Sequence, residues 1–220
     1  MSLTFLNEIA NLKKKAFDAY TRETVEELIQ VTNEMAEQSL AKTTIREGDR
    51  IPSFELKDAT GDLIRSSDLL NRGPLVISFY RGGWCPFCSL ELKFLQKIYP
   101  QVRECGADIV AISPELQEYS HKTKTDNGLQ FYVLSDVDNT VSKKFGLIFT
   151  LIKHIANIYR INFDLDLKAI NGNEDYEFPV PATYVVKPDG LIHYAFIDVD
   201  YTKRLEPEVL LSKLAEISCA

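Results

Sequence analysis

An α/β fold, with a central mixed sheet flanked by helices and an N-terminal helical extension, is what this 220-residue chain predicts. Three observations carry the prediction. Residues 1–44 place their apolar side chains at helical spacing. From Gly48 onward, short apolar runs alternate with turn residues and further helical stretches, the texture of strands layered with helices. Late in the chain, Lys187-Pro-Asp-Gly190 joins a proline that presets φ to a glycine that accepts positive φ, so two strands fold back on each other and give the sheet an antiparallel edge.

In order along the chain, Leu6, Ile9, Leu12, Ala16, Phe17 and Tyr20 form one apolar stripe, and Val25, Leu28, Ile29, Thr32, Met35 and Ala36 form a second. They predict two helices, the first ending near Tyr20. Thr24 followed by Glu27 has capping-box spacing and is expected to start the second. Strands are expected at 53–56, 75–80, 108–113, 131–134, 183–186 and 191–197. Helices follow from the spacing of Leu90, Phe94, Leu95, Ile98, Tyr99 and Val102, and from that of Val209, Leu210, Leu214 and Ile217. Shorter helices fit 115–125 and 140–145. Residues 148–159 have helical spacing, and Asn171-Gly-Asn-Glu-Asp175 reads as a loop. The organisation is therefore an extension at 1–44 and one domain at 45–220 with an insertion at about 147–178. The extension reads as a cap packed on the domain or as a dimer or partner contact, and the insertion as surface decoration or a lid.

Hydrophobic residues make up 45% of the chain and charged residues 26%, which excludes a fibrous or low-complexity protein. A net charge of −7 disfavours a nucleic-acid partner, and Lys13-Lys14-Lys15 reads as the solvated side of a helix. The N-terminus lacks the basic start and long apolar run of a secretory signal, and no stretch approaches the ~20 apolar residues of a membrane span. These absences predict no membrane partner and a cytoplasmic location. There, two cysteines three positions apart more often mean catalysis or metal binding than a structural staple. Zinc would need two further ligands, and the sequence has neither a second such pair nor paired histidines, since His121, His154 and His193 are scattered.

The run Val76-Ile-Ser-Phe-Tyr-Arg-Gly-Gly-Trp-Cys-Pro-Phe-Cys88 is an apolar strand that breaks at paired glycines and delivers that cysteine pair. A helix starting near Cys85 would put both sulfurs in its first turn, where unpaired N–H groups and the macrodipole stabilise the reactive thiolate. The same spacing lets the sulfurs close a disulfide and be reset.

Strand, glycine turn, Trp84-Cys-Pro-Phe-Cys88 and amphipathic helix resemble the thioredoxin superfamily. Within it the chain is similar to the peroxiredoxins, in a branch with a Cys-x-x-Cys centre. The residues concerned are Gly48-Asp-Arg-Ile-Pro-Ser-Phe-Glu-Leu56, the Phe79-Tyr80 strand end, Cys88-Ser-Leu-Glu91 and the stretch from Thr183 to Gly190, so the likeness covers about Gly48 to the C-terminus. Peroxiredoxins carry Pro-x-x-x-Thr-x-x-Cys and a distant arginine. Laid on this chain, the pattern puts the peroxidatic position at Cys88, Cys85 at the threonine, Arg81 at the proline and Pro181 where the late strand's arginine belongs. At Pro181 the chain agrees instead with thioredoxins, whose cis-proline sits there, so a cis bond is expected.

The resemblance implies a thioredoxin-like fold and an antioxidant thiol peroxidase that reduces hydroperoxides through a Cys85/Cys88 disulfide. A thioredoxin-like protein or glutathione would re-reduce it, with no metal, flavin or nucleotide, and the assembly would be a homodimer. Threonine and arginine normally hold the peroxide and stabilise its developing charge, so Arg81 becomes the substitute positive charge, with Glu91 its ion-pair partner. Trp84 is read as shielding the dithiol, and Pro181 as keeping a backbone edge beside it. The thioredoxin pattern makes Cys85 the attacking sulfur, whereas the peroxiredoxin pattern makes it Cys88. Cys105 reads as a small buried residue, and Cys219 as a candidate resolving cysteine between subunits. Two alternatives stand beside the peroxidase: a thiol–disulfide oxidoreductase acting on protein disulfides, and a non-catalytic binding module.

Overall fold

The computed structural model describes residues 2–19, 22–40 and 44–218. The chain opens with helices α1 (Ser2–Ala19) and α2 (Arg22–Leu40). The second is already helical at Arg22, so Thr24 lies in its first turn instead of capping it; an Arg22–Glu26 pair one turn apart, at 2.8 Å, supports the earlier start. Tyr20 and the side chains of Ala16 and Phe17 lie outside the described residues.

The domain that follows runs β1 (Glu55–Asp58), β2 (Leu63–Arg65), α3 (Ser66–Leu70), β3 (Leu75–Phe79), α4 (Pro86–Glu104), β4 (Asp108–Ser113) and α5 (Gln117–Asp126). It continues with β5 (Tyr132–Ser135), α6 (Thr140–Lys144), β6 (Ile148–Thr150), α7 (Lys153–Phe163) and α8 (Leu167–Asn171). It closes with β7 (Glu177–Pro179), β8 (Ala182–Val186), β9 (Ile192–Ile197) and α9 (Pro207–Ser218). Seven strands form one mixed sheet in the order β2-β1-β5-β4-β3-β8-β9, with β3, β4 and β5 parallel and the other pairings antiparallel. The β8–β9 hairpin closes as its turn chemistry predicts: Gly190 N–H donates to Lys187 O at 2.8 Å, with Gly190 at φ +85°.

Strand alternation divides the core into two layers. Leu75, Ile77 and Phe79 of β3 face Leu28 and Leu40 of α2, Phe145, Ile155 and Tyr159. Val76 and Tyr80 face Phe5 and Ile9 of α1, the buried stripe of α4, and Leu210 and Leu214 of α9. The two N-terminal helices thus serve opposite faces of the sheet. Every residue of β3 is buried, so a register slip would exchange one full layer for the other. Among the described residues no helix is long and apolar enough to cross a membrane.

Two further expectations need correction. Residues 148–150 are strand, not helix: Ile148, Phe149 and Thr150 have β-branched and aromatic side chains and pair with Pro179, Phe178 and Glu177, so the helix begins only at Lys153. The bond before Pro181 is trans. There β7 passes to β8, and Val180 N–H donates to Leu147 O at 2.8 Å. A trans proline entering a strand keeps that connection extended without a reversal.

Candidate active site

β3 and the turn after it deliver the chemistry. A Cβ on Gly82, at φ +150°, would stand 2.2 Å from Trp84 Nε1, and one on Gly83 would stand 2.0 Å from Thr123 Oγ1. Both positions therefore require glycine for the loop to pass beneath Trp84 and against α5. Cys85 then caps α4 in an extended conformation (φ −82°, ψ 116°), and Pro86 takes the first helical position, where no N–H is needed. Ser89 Oγ donates to Gly83 O at 2.8 Å and ties the first turn back to the loop.

Both sulfurs are free thiols and buried, Cys85 at 1% exposure and Cys88 at 0%. At Cys85 burial pushes the pKa up. The hydrogen bond from the Cys88 side chain, the Arg81 and Arg204 charges, and the Cys88 backbone N–H outweigh it and bring the thiol down to about 5. Cys88 moves well above the ordinary thiol value, because burial and the adjacent Cys85 sulfur oppose a second negative charge. The pair thus holds one proton, on Cys88, and one thiolate, on Cys85.

Two buried arginines set this field. Arg81 Nη2 donates to Tyr159 Oη at 2.6 Å, and the guanidinium lies over the rings of Tyr201 (4.4 Å), Trp84 (4.8 Å) and Tyr159 (5.6 Å). Its Nε and Nη1 have no hydrogen-bond partner among the described residues. Arg204 Nε donates to Glu91 Oε2 at 2.6 Å, Nη1 to the carbonyls of Tyr201 and Lys203, and Nη2 to Cys88 Sγ at 3.2 Å. Thr183 Oγ1 completes Glu91 at 3.2 Å. The expected Arg81–Glu91 pair is therefore replaced: Glu91 faces β8 and the chain before α9, while Arg81 turns into the aromatic rings. Burial pushes Glu91 up to about 7 against the pull of Arg204.

Glu115, another residue the sequence did not single out, is 2% exposed. It accepts from Gly83 N–H at 3.0 Å and Ser113 Oγ at 3.3 Å, and burial pushes it up to about 7 against those bonds. Trp84 packs edge-on to Tyr159 and Phe178. With α2 and α7 it walls a cavity of about 120 Å³ that Cys85 lines and Cys88 does not.

Pro181 is buried where the chain enters β8. His154 and His193 pair with Glu27 and Glu216, and His121 is exposed. Cys105, expected to be buried, is half-buried at the end of α4. Cys219 lies outside the described residues.

Comparison with known proteins adds four likenesses. Residues 47–195 match the model of the AhpC/TSA family. A putative peroxiredoxin of Mycobacterium tuberculosis is 30% identical over 122 residues, covering 56% of this chain and 79% of that protein. The thiol-disulfide oxidoreductase ResA of Bacillus subtilis is 25% identical over 152 residues, covering 69% of this chain and 67% of that one. Among solved structures, peroxidoxin BcpB from Mycobacterium tuberculosis shares the fold, with a TM-score of 0.62 at 24% identity over 79% of this chain and 98% of that one.

Proposed function

The chain belongs to the AhpC/TSA family, and from that membership we propose a thiol-dependent peroxidase in which Cys85 attacks the hydroperoxide and Cys88 resolves the product. The observation that carries this order is the position of Cys85, which lines the cavity while Cys88 does not; the lowered Cys85 pKa and the raised Cys88 pKa agree with it.

The Cys85 thiolate attacks the terminal peroxide oxygen, the O–O bond breaks, and the other oxygen leaves as alkoxide or hydroxide and takes a proton from solvent to become an alcohol or water. Cys85 becomes a sulfenic acid. Arg81 supplies positive charge beside the departing oxygen. Cys88 then attacks the sulfenic sulfur as it gives up its proton, a disulfide forms and water leaves. Arg204, 3.2 Å from Cys88 Sγ, stabilises the negative charge as it appears there. Two electrons from a thioredoxin-like dithiol or from glutathione reopen the pair. On this reading residues 1–44 are an extension and 147–178 an insertion on the domain. The protein is a cytoplasmic antioxidant, and its assembly is a homodimer on family likeness.

Stopped-flow oxidation followed through Trp84 fluorescence tests the order. The fast phase is expected to disappear in Cys85→Ser and persist in Cys88→Ser, where dimedone traps the sulfenic acid. A fast phase surviving in Cys85→Ser transfers the attack to Cys88. The second reading, exchange with protein disulfides, draws on the helix-capping position of Cys85 and the likeness to ResA. It predicts rapid reduction of a test disulfide and no fast phase with any peroxide.

A further inference from the structure

Arg81 and Arg204 place two buried cations beside the dithiol. A buried charge needs a partner of the opposite sign. Arg204 has one in Glu91, whose carboxylate oxygen lies 2.6 Å from its Nε. Among the described residues Arg81 has no such carboxylate. Its Nη2 donates to the neutral Tyr159 hydroxyl, its guanidinium lies over the rings of Tyr201, Trp84 and Tyr159, and its Nε and Nη1 are unpartnered there. Glu115, the other carboxyl enclosed in this region, is bonded to Gly83 and Ser113. The negative charge that balances Arg81 therefore belongs to sulfur. Burial opposes a charge on Cys85, yet the Cys88 side chain, Arg81 and Arg204 bring its thiol down to about 5, in agreement with that assignment.

This balance lasts only while the pair is reduced. When Cys85 and Cys88 join, one thiolate and one thiol become an S–S bond, two electrons and one proton leave, and the sulfurs carry no charge. Glu91 still neutralises Arg204. Arg81 is left as an enclosed cation facing aromatic rings, which attract it without cancelling its charge. In the unfolded chain both arginines are in water, so closing the same disulfide there carries no such penalty.

We propose that Arg81 tunes the redox balance of the Cys85–Cys88 pair, making the dithiol the more stable folded state and the disulfide a strong oxidant. In this role it is a positioning residue, because it acts through the charge on the sulfurs. A pair whose reduced form is stabilised accepts electrons from weaker donors. A monothiol of ordinary potential is then sufficient to reopen the bond: two thiols become one disulfide as the two electrons pass to the protein. The inference rests on the peroxidase reading only in requiring that the pair close a disulfide.

The test compares reduced protein with protein oxidised by diamide, the Cys85–Cys88 bond being confirmed by peptide mass, so that no peroxide chemistry enters. A disulfide ordinarily stabilises a fold. Here the oxidised wild type is expected to unfold at lower urea concentration than the reduced form at neutral pH. Arg81→Met should abolish or reverse that order, and Arg81→Lys, which keeps the cation, should retain it. Each variant is compared with itself, so a general loss of stability cancels. The second readout is the equilibrium with glutathione and glutathione disulfide, scored by thiol alkylation. Arg81→Met is expected to shift it about tenfold toward the protein disulfide, equivalent to about 30 mV. An oxidised wild type at least as stable as the reduced form overturns the inference and leaves the peroxidase reading standing. So does a glutathione equilibrium that Arg81→Met leaves in place, or an Arg81→Lys that behaves as Arg81→Met. Absence of a fast peroxide reaction with the redox order intact removes the peroxidase reading alone. Failure of the pair to close under diamide removes both.

Discussion

Arg81 holds a full charge at 2% exposure, with no carboxylate among the described residues paired to it. A buried cation is costly unless paired. Here three aromatic faces, the Tyr159 hydroxyl and the Cys85 thiolate share the compensation, so cation and thiolate stabilise each other. The rate of Cys85 alkylation against pH should therefore show a midpoint near 5, fully developed at neutral pH and falling as protons return below it. Arg81→Met should move that midpoint up toward the ordinary thiol and leave less thiolate at pH 7; an unmoved midpoint would remove Arg81 from the account. Cys85, Cys88, Arg81 and Trp84, which the structure brings together, stand out in the sequence because they lie within one strand-turn-helix segment. Arg204 was not: it meets Glu91 across 113 positions and Cys88 across 116, and no local pattern marks a residue recruited from so far. Glu91 belongs to a local motif, but its partner Arg204 does not, so spacing alone points to Arg81 instead.

At the scale of elements, the Gly82-Gly83 turn fixes where α4 begins and hence where both sulfurs stand. Gly83→Ala would drive a methyl group into Thr123 Oγ1 on α5. A loss of about 1–3 kcal/mol in urea unfolding is expected, the usual range for overpacking, together with slower peroxide oxidation as Cys85 shifts. Unchanged stability would mean that α5 yields freely. The elements that sequence pattern revealed are those whose own residues carry a pattern: β3 and β4 as short, mostly apolar runs, α4 and α9 as stripes. The short strands β6 and β7 pair only with each other, and three residues are too few to display alternation, so Ile148–Thr150 was absorbed into the helical spacing that follows. The trans bond at Pro181 was equally hidden, because isomer choice there depends on the connection from β7.

For the molecule as a whole, two carboxyls buried beside the dithiol link stability to pH. Glu91 and Glu115 titrate near 7 when folded, against 4.5 for an ordinary glutamate, and so favour the native state while protonated. Their contribution is complete below pH 4.5 and is lost as pH rises through 7. Glu115→Gln, which preserves an acceptor for Gly83 N–H, should match the wild type at pH 4. At pH 8 it should gain on the wild type, by at most about 3 kcal/mol in urea denaturation, the free energy of a shift from 4.5 to about 7. Equal stability at both values would place the Glu115 charge in contact with water. The layered α/β architecture was legible from the chain's alternation of textures, but the balance of charge was not. A chain of net charge −7 gives no sign that the dithiol is governed by two enclosed cations. One of these, Arg204, stands beyond the last strand, between β9 and α9. During translation both cysteines leave the ribosome more than a hundred residues before it does. Until Arg204 docks, a nascent chain carries the dithiol with Arg81 alone beside it, and only the fold joining β9 to α9 completes its electrostatic setting.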